Sequence, residues 1–270
     1  MTSIFMNMPD LVLSQILNEL DFKSIQKLRN VSKTLRGFID DVRPDSRLLE
    51  VTVIMKGPEN LEVSYKNDFQ EYIVHYQKHG NGCSITHKKI KKMFANEDFS
   101  TRAVEDLELI LRNQKSILKS LVIKTTYSDG ILKTLKTKIL ESKRSKLKVY
   151  ELVMETQNQE EILDILPFLD PEPLEEFRVF NSGENFKTLK IDKISKLEHW
   201  SKLKEISIES VFISNLDLNN FSEISKVSVD LKSLKAEDVI DLKEEDHQRT
   251  PISVVMSNRG ASKCHIQLIS

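Results

Sequence analysis

Five short apolar segments share one spacing, in which an apolar residue is followed three and five positions later by two others. Because those two are separated by a single residue, each segment has the period of a β-strand that buries one face. The first residues of consecutive segments lie 31, 25, 29 and 21 positions apart, which leaves room for one connection between strands. The segments are Leu118/Leu121/Ile123, Val149/Leu152/Met154, Leu174/Phe177/Val179, Leu203/Ile206/Ile208 and Ile224/Val227/Val229.

Helical periodicity occupies intervals between these strands. It is present from Glu160 to Leu169 and from Ser233 to Lys243, so the pattern predicts irregular strand/helix repeats that form a leucine-rich-repeat-like solenoid. The Asn or Cys that usually follows the strand of such a repeat is absent, which makes this a divergent version. A plain α+β sandwich is the alternative. The residues at the equivalent positions are Thr126, Gln157, Ser182, Val211 and Lys232.

A separate helical pattern precedes the repeats. Pro9 suits the first turn of a helix, where a missing N–H costs nothing, and apolar residues then recur at helical spacing. Ser24 and Ser32 are expected as N-caps of two further helices. Three such helices cannot bury all their apolar side chains among themselves, so we expect this surface to meet a partner or the rest of the chain. The apolar residues of the first helix are Val12, Leu13, Ile16, Leu17 and Leu20.

Three motifs between Met8 and Asp45 follow the order of an F-box, and the stretch resembles that family. Met8-Pro9 stands where the family has Leu-Pro, Ile16-Leu17 where it has Ile-Leu, and Val31-Ser32-Lys33 where it has Val-Ser/Cys-Lys. Many members carry Trp at the position of Leu35, which remains apolar. An ordinary helical hairpin with core leucines is the alternative. The resemblance implies these adaptor-binding residues: Met8, Pro9, Ile16, Leu17, Leu20, Val31, Ser32, Lys33 and Leu35.

Strand periodicity follows the helices, with turn signals at Gly57-Pro58-Glu59-Asn60 and Gly80-Asn81-Gly82. This predicts a small antiparallel sheet as a connector. If the second turn has three residues, His79 faces Cys83 and His75 faces His87, and the four side chains could hold a tetrahedral zinc. A slip of one residue would instead put the histidines and Cys83 on opposite faces. A packed Cys83 with exposed histidines is the interpretation we prefer, and no metal or cofactor is predicted.

A second resemblance covers much of the remaining chain. Residues 159–177, with Ile165-Leu166-Pro167-Phe168 at their centre, are similar to the FTH domain of nematode F-box proteins, and residues 106–115, 197–208 and 236–242 agree with it in order. The predicted organisation is therefore an F-box at residues 1–48, a β-rich connector at 49–98 and an FTH domain at 99–270. The fold class is α+β, and the FTH domain is the expected substrate-binding region.

Composition narrows the classes of partner. The 270 residues carry a formal net charge of −1, whereas a general nucleic-acid binder would normally be strongly basic. No apolar run approaches the roughly 18 residues of a membrane span, and two cysteines are too few for a disulfide framework. We therefore expect a chain of the cytoplasm and/or nucleus that binds neither nucleic acid nor membrane. No carboxylate pairs with a His, Cys or Ser in a catalytic pattern, so we expect no enzyme.

The repeats also predict a binding surface. If the apolar residue positions point into the core, the residues between them line the exposed face of a continuous sheet. Acids dominate the middle of this face, which favours a basic or mixed-charge segment of a protein substrate as ligand. A merely solvated face is the alternative. The candidate substrate-binding residues are Val122, Glu151, Val153, Glu176, Arg178, Glu205 and Ser207.

The resemblances together imply a substrate-recognition subunit of an SCF-type (Skp-cullin-F-box) ubiquitin ligase. The F-box would dock on a Skp-type adaptor and through it on a cullin, while the repeats hold a protein substrate. The alternative is a non-degradative F-box adaptor that sequesters or scaffolds a partner. A third alternative is an enzyme with a novel site in the His75 to His87 hairpin.

Overall fold

Three short helices open the part of the chain that the computed structural model describes. They are α1 (Asp10–Glu19), α2 (Phe22–Arg29) and α3 (Lys33–Val42). The Ser32 hydroxyl caps α3 as predicted, since it accepts a hydrogen bond from the backbone N–H of Leu35 at 3.1 Å. Ser24 does not cap α2; the Asp21 carboxylate does. The described residues are 8–125, 129–140, 145–156, 158–182, 188–213, 218–221, 223–231, 253–258 and 264–269.

An antiparallel meander follows, as the alternating pattern predicts. A long helix, α4 (Phe99–Leu111), packs on its inner face through apolar residues such as Val104 and Leu107. The helix is capped by Asp98, which accepts from the N–H of Thr101 at 2.8 Å. The strands are β1 (Glu50–Gly57), β2 (Asn60–Lys66), β3 (Glu71–His79), β4 (Gly82–His87) and β5 (Ile90–Phe94).

Strands and helices then alternate along the chain. All three apolar residue positions of each of the five predicted segments are buried, which confirms the strand pattern. The strands are β6 (Leu118–Lys124), β7 (Val149–Glu155), β8 (Glu176–Phe180), β9 (Thr188–Leu189), β10 (Glu205–Ile213), β11 (Lys226–Leu231), β12 (Ser253–Asn258) and β13 (Cys264–Ile269). The helices are α5 (Asp129–Leu135), extended by a π-helical turn (Lys136–Leu140), α6 (Gln159–Leu163), α7 (Glu198–Lys202), and 3-10 turns at Leu166–Phe168, Ile194–Lys196 and Leu218–Phe221.

The described strands form one mixed sheet, in the order β12-β13-β11-β10-β8-β7-β6-β1-β2-β3-β4-β5, with β9 paired to β10. Six neighbouring strands of the sheet run parallel, because a helical connection returns the chain between them. They are β1, β6, β7, β8, β10 and β11. Antiparallel strands flank this parallel run on both sides. The α+β class is confirmed, whereas a leucine-rich-repeat solenoid is not shown. The predicted helix at Ser233 to Lys243, and Thr126, Gln157 and Lys232, lie outside the described residues.

The proposed zinc geometry is wrong because the hairpin of β3 and β4 has a two-residue turn. His79 pairs with Gly82 and Lys78 with Cys83, so the register differs by one residue from the one that the zinc site needs. His75 and His79 therefore lie on one face of the sheet, and Cys83 and His87 on the other. Gly80, at φ 59°, supplies the left-handed conformation that this tight turn uses. Cys83 is buried, as the preferred interpretation expected.

Two glycines give opposite predictions for stability. An added Cβ at Gly82 would lie 2.1 Å from the carbonyl oxygen of Phe94, whereas at Gly37, inside α3, it would meet nothing within 4 Å. Gly82→Ala should therefore destabilise the chain by about 1–3 kcal/mol. Gly37→Ala should stabilise it by about 0.5–1 kcal/mol, because alanine loses less backbone entropy in a helix. Urea unfolding of both variants checks this, and a stable Gly82→Ala protein would contradict the packing of β4 on β5.

Candidate protein-interaction surfaces

The three N-terminal helices form a small unit with a core of its own. Leu17, Ile25, Leu35 and Ile39 pack together, apart from the main core. The Asp21 carboxylate accepts from the N–H of Ser24 at 2.6 Å, and this hydrogen bond lowers the pKa of Asp21. Arg29 on α2 binds Asp40 on α3 at 2.8 Å. These contacts hold the helices in one arrangement and so fix which apolar side chains remain outside.

Two of the predicted adaptor-binding residues lie inside this unit. Leu17 is 0% and Leu35 4% exposed, so they shape the surface from beneath. Pro9, Val31, Ser32 and Lys33 are exposed, and Met8, Ile16 and Leu20 are half-buried.

Leu11 was missed by the sequence reasoning, and Val12 was placed on the apolar face of the first helix but not among the adaptor-binding residues. Leu11 and Val31 are each 72% exposed and Val12 is 40% exposed. We call Leu11, Val12 and Val31 the exposed apolar set. Leu11 lies off the buried stripe of α1, and an apolar residue at such a position was the available signal.

A hydrogen-bonded clasp joins the helical unit to the sheet. Buried Gln114, in the loop after α4, accepts from the N–H of Leu48 at 3.0 Å and donates to the carbonyl of Leu48 at 3.1 Å. The Asp45 carboxylate accepts from the N–H groups of Lys115 and Ser116 at 2.9 and 3.0 Å. The segment that leaves α3 is therefore bound along its length to the loop that enters β6.

The second candidate surface is the open face of the parallel strands. The register places Glu151, Glu176 and Glu205 side by side on β7, β8 and β10, and we call these three the acidic row. Lys226 continues it on β11. Val122, Val153, Arg178, Ser207 and Ser228 align in the next row, as the sequence predicts.

Arg178 binds the whole acidic row. Its guanidinium lies 2.8 Å from Glu176, 3.1 Å from Glu151 and 4.0 Å from Glu205, and Lys226 binds Glu205 at 2.9 Å. The three carboxylates are therefore partly neutralised within the chain. The surface carries paired charges of both signs, which suits a mixed-charge ligand better than a purely basic one.

The edges of this surface differ from the prediction. Ser207 is only 8% exposed and donates to Glu209 at 2.9 Å, so its hydroxyl is already used. An irregularity in β10 places Asp230 opposite Phe212, and Asp230 accepts from the N–H of Ser210 at 2.8 Å. Regular alternation along the strands would have placed Asp230 in one row with Lys124, Glu155 and Glu209, and the irregularity removes it from that row. The usable part of the face is the acidic row, Arg178, and the half-buried Val122 and Val153.

Comparison with known proteins gives two domain matches. An F-box domain matches residues 5–47, and an FTH domain matches residues 129–257. The exposed apolar set lies in the first range and the acidic row in the second. No curated protein and no solved structure matches the chain.

Two kinds of feature are absent from the described part of the chain. There, no group of three or more His, Cys, Asp or Glu side chains is placed to hold a metal ion. Over the same residues, no helix is long and apolar enough to cross a membrane.

Removing Arg178 should expose the repulsion within the acidic row. Arg178→Gln leaves three carboxylates on adjacent strands without the guanidinium between them, so we expect a loss of about 1 kcal/mol at low salt. The loss should shrink as sodium chloride is raised, because screening weakens the repulsion. Arg112→Gln is the matched control, since exposed Arg112 forms, among the described residues, a single ion pair with Glu108, four residues earlier. Urea unfolding at two salt concentrations gives the comparison, and equal, salt-independent losses would argue against a coupled cluster.

Proposed function

This chain is an F-box protein with an FTH domain, and we propose that it is the substrate-recognition subunit of an SCF-type ubiquitin ligase. The F-box indicates a role in protein–protein interaction, and F-box domains typically bind Skp-type adaptors. The proposal extends this to a cullin on the adaptor side and to a protein substrate on the other side.

The exposed apolar set is the observation that supports binding of the F-box to an adaptor. Leu11 and Val31 are each 72% exposed, so they add little to the core of the helical unit and are open to another surface that would cover them. Covering one such side chain contributes roughly 1.5–3 kcal/mol. The polar neighbours Ser32 and Lys33 would form the rim of that contact. Leu17 and Leu35 then act by holding α1 and α3 in place.

The open face of the parallel strands supports binding of a protein substrate by the FTH domain. The acidic row and Arg178 project from neighbouring strands of the FTH domain, where an extended segment of a partner can lie across several strands at once. We interpret this run as divergent and leucine-rich-repeat-like, because every repeat buries the same three apolar residue positions and successive repeat strands are neighbours.

The mechanism that follows is proximity without catalysis by this chain. The adaptor and cullin bring a ubiquitin-loaded enzyme close, and the FTH domain holds the substrate near it, which raises the effective concentration of a substrate lysine at the thioester. In this proposal the chain works in the cytoplasm and/or nucleus.

Adaptor binding should depend on the exposed apolar set. Leu11→Asp with Val31→Asp places two charges where apolar contact is needed, so we expect the affinity for a purified Skp-type adaptor to fall at least tenfold. The full-length variant should keep its melting temperature, since both side chains are exposed. Titration calorimetry measures the affinity.

The control for that experiment is Phe69→Asp, a charge placed at an 84% exposed aromatic residue in the turn between β2 and β3. It should bind the adaptor like the wild type. Leu17→Asp is unsuitable, because Leu17 is 0% exposed and its loss would unfold the unit. Unchanged affinity of the folded double variant would refute the assigned surface.

A substrate receptor and a sequestering adaptor differ in what happens to the bound partner. If the chain is a receptor, a partner captured through the open face becomes ubiquitinated and short-lived. Its half-life should lengthen with Leu11→Asp/Val31→Asp or with proteasome inhibition. If the partner binds yet keeps one half-life in all three conditions, the chain sequesters or scaffolds it. Pulse-chase measurement of the partner in cells distinguishes the two.

A further inference from the structure

A cavity of about 330 Å³ lies where the F-box meets the antiparallel strands. Phe22, Lys23 and Gln26 of α2 form one side, residues of β2, β3 and β4 form the floor, and α4 closes it through residues such as Leu109. Its volume is at the lower end of the roughly 300–1,000 Å³ typical of small-molecule pockets. Apart from α2, the cavity is built between the two ranges that the domain families match.

Stacked rings line the cavity. The rings of Tyr65 and Tyr72 are 5.2 Å apart and 20° from parallel, and the His87 ring lies 6.3 Å from that of Tyr72 at an angle of 29°. Phe22 meets Tyr65 edge-on at 5.6 Å. Aromatic rings favour such stacked and edge-on contacts, so a flat ring is the guest that this wall accommodates best.

The Asp106 carboxylate on the cavity wall is already bound by other side chains. The Asp106 carboxylate accepts from the hydroxyl of Tyr76 at 2.9 Å and binds Arg102 at 3.3 Å. His87 contacts the carbonyl of Ile73 through Nδ1 at 2.9 Å.

Two donors have no acceptor among the described residues. The Tyr72 hydroxyl is buried, with Tyr72 only 3% exposed, and has no hydrogen-bond partner there. Burial raises the pKa of this hydroxyl, so it stays protonated and can only gain by donating. The Lys23 ammonium lies 5.2 Å from the centre of the Tyr72 ring and has no carboxylate within ion-pair distance in this part of the chain. The Asp21 carboxylate acts on both groups electrostatically without contacting either. The two donors therefore lack an acceptor in direct contact, and a carboxylate placed there could bind both.

We propose that this cavity is a binding site for a small aromatic carboxylate. The ring of the ligand stacks in the space beside Tyr65 and Tyr72, and its carboxylate accepts from Tyr72 and pairs with Lys23. A bound ligand touches both α2 and α4, and so stabilises the F-box against the sheet. This site is independent of the adaptor and substrate surfaces.

The test uses three probes that share one ring and differ in the head group: benzoate, benzyl alcohol and benzylammonium. Each is titrated into the full-length protein at up to millimolar concentration, with saturation-transfer NMR for binding and thermal unfolding for stabilisation. Benzoate should bind most tightly and raise the melting temperature. Lys23→Gln should weaken benzoate about tenfold, the value of one hydrogen bond to a charged group, and leave benzyl alcohol unchanged.

Two further variants locate the binding. Leu109→Trp should fill the cavity and abolish benzoate binding, whereas Ile117→Trp, at another exposed apolar residue that lies outside the cavity, should not. Tyr72→Phe should weaken benzoate without lowering the melting temperature of the free protein, because the hydroxyl has no protein partner to lose. The proposal is overturned if benzoate does not bind, if it binds equally to the folded Leu109→Trp variant, or if benzylammonium binds with the same affinity as benzoate.

Discussion

The clasp between Gln114 and Leu48 is the contact on which the arrangement of the two parts depends. One amide side chain satisfies both backbone groups of a residue 66 positions away, in a place where water cannot do so. The next residue, Leu49, then accepts from the N–H groups of Lys119 and Ser120 at 2.7 and 3.1 Å, which starts the pairing of β1 with β6. Because β1 joins the antiparallel strands to the parallel run, the clasp fixes the sheet and the F-box together.

The parallel register gives the sheet two faces with different roles. Inward residues at the repeat positions share the core, while the residues between them align across strands and bring three carboxylates around Arg178. Three carboxylates that lie 25 to 54 positions apart in the chain thus share one ion-pair cluster. A continuous sheet provides such a surface at no extra cost in loop entropy, because backbone pairing has already positioned the strands.

The accuracy of the sequence-based predictions depends on how far apart in the chain the interacting residues lie. The Ser32 cap, the buried repeat positions and the meander were predictable, because each depends on residues a few positions apart. The caps at Asp21 and Asp98 were missed, although a carboxylate beside a helix start is as good an acceptor as a hydroxyl. The hairpin register was not predictable, since two- and three-residue turns both fit Gly80-Asn81-Gly82, and only the packing of Cys83 in the core selects between them.

By itself, the sequence determined the N-terminal helices, the alternation of strands and helices and the absence of a strong net charge. Those properties follow from local periodicity and composition. Only the tertiary structure decided that Leu17 and Leu35 are core while Leu11 is outside, that Arg178 partly neutralises the acidic row, and that an aromatic cavity lies beside α2. These properties arise where residues distant in the chain pack together, and spacing along a single sequence does not specify which residues meet there.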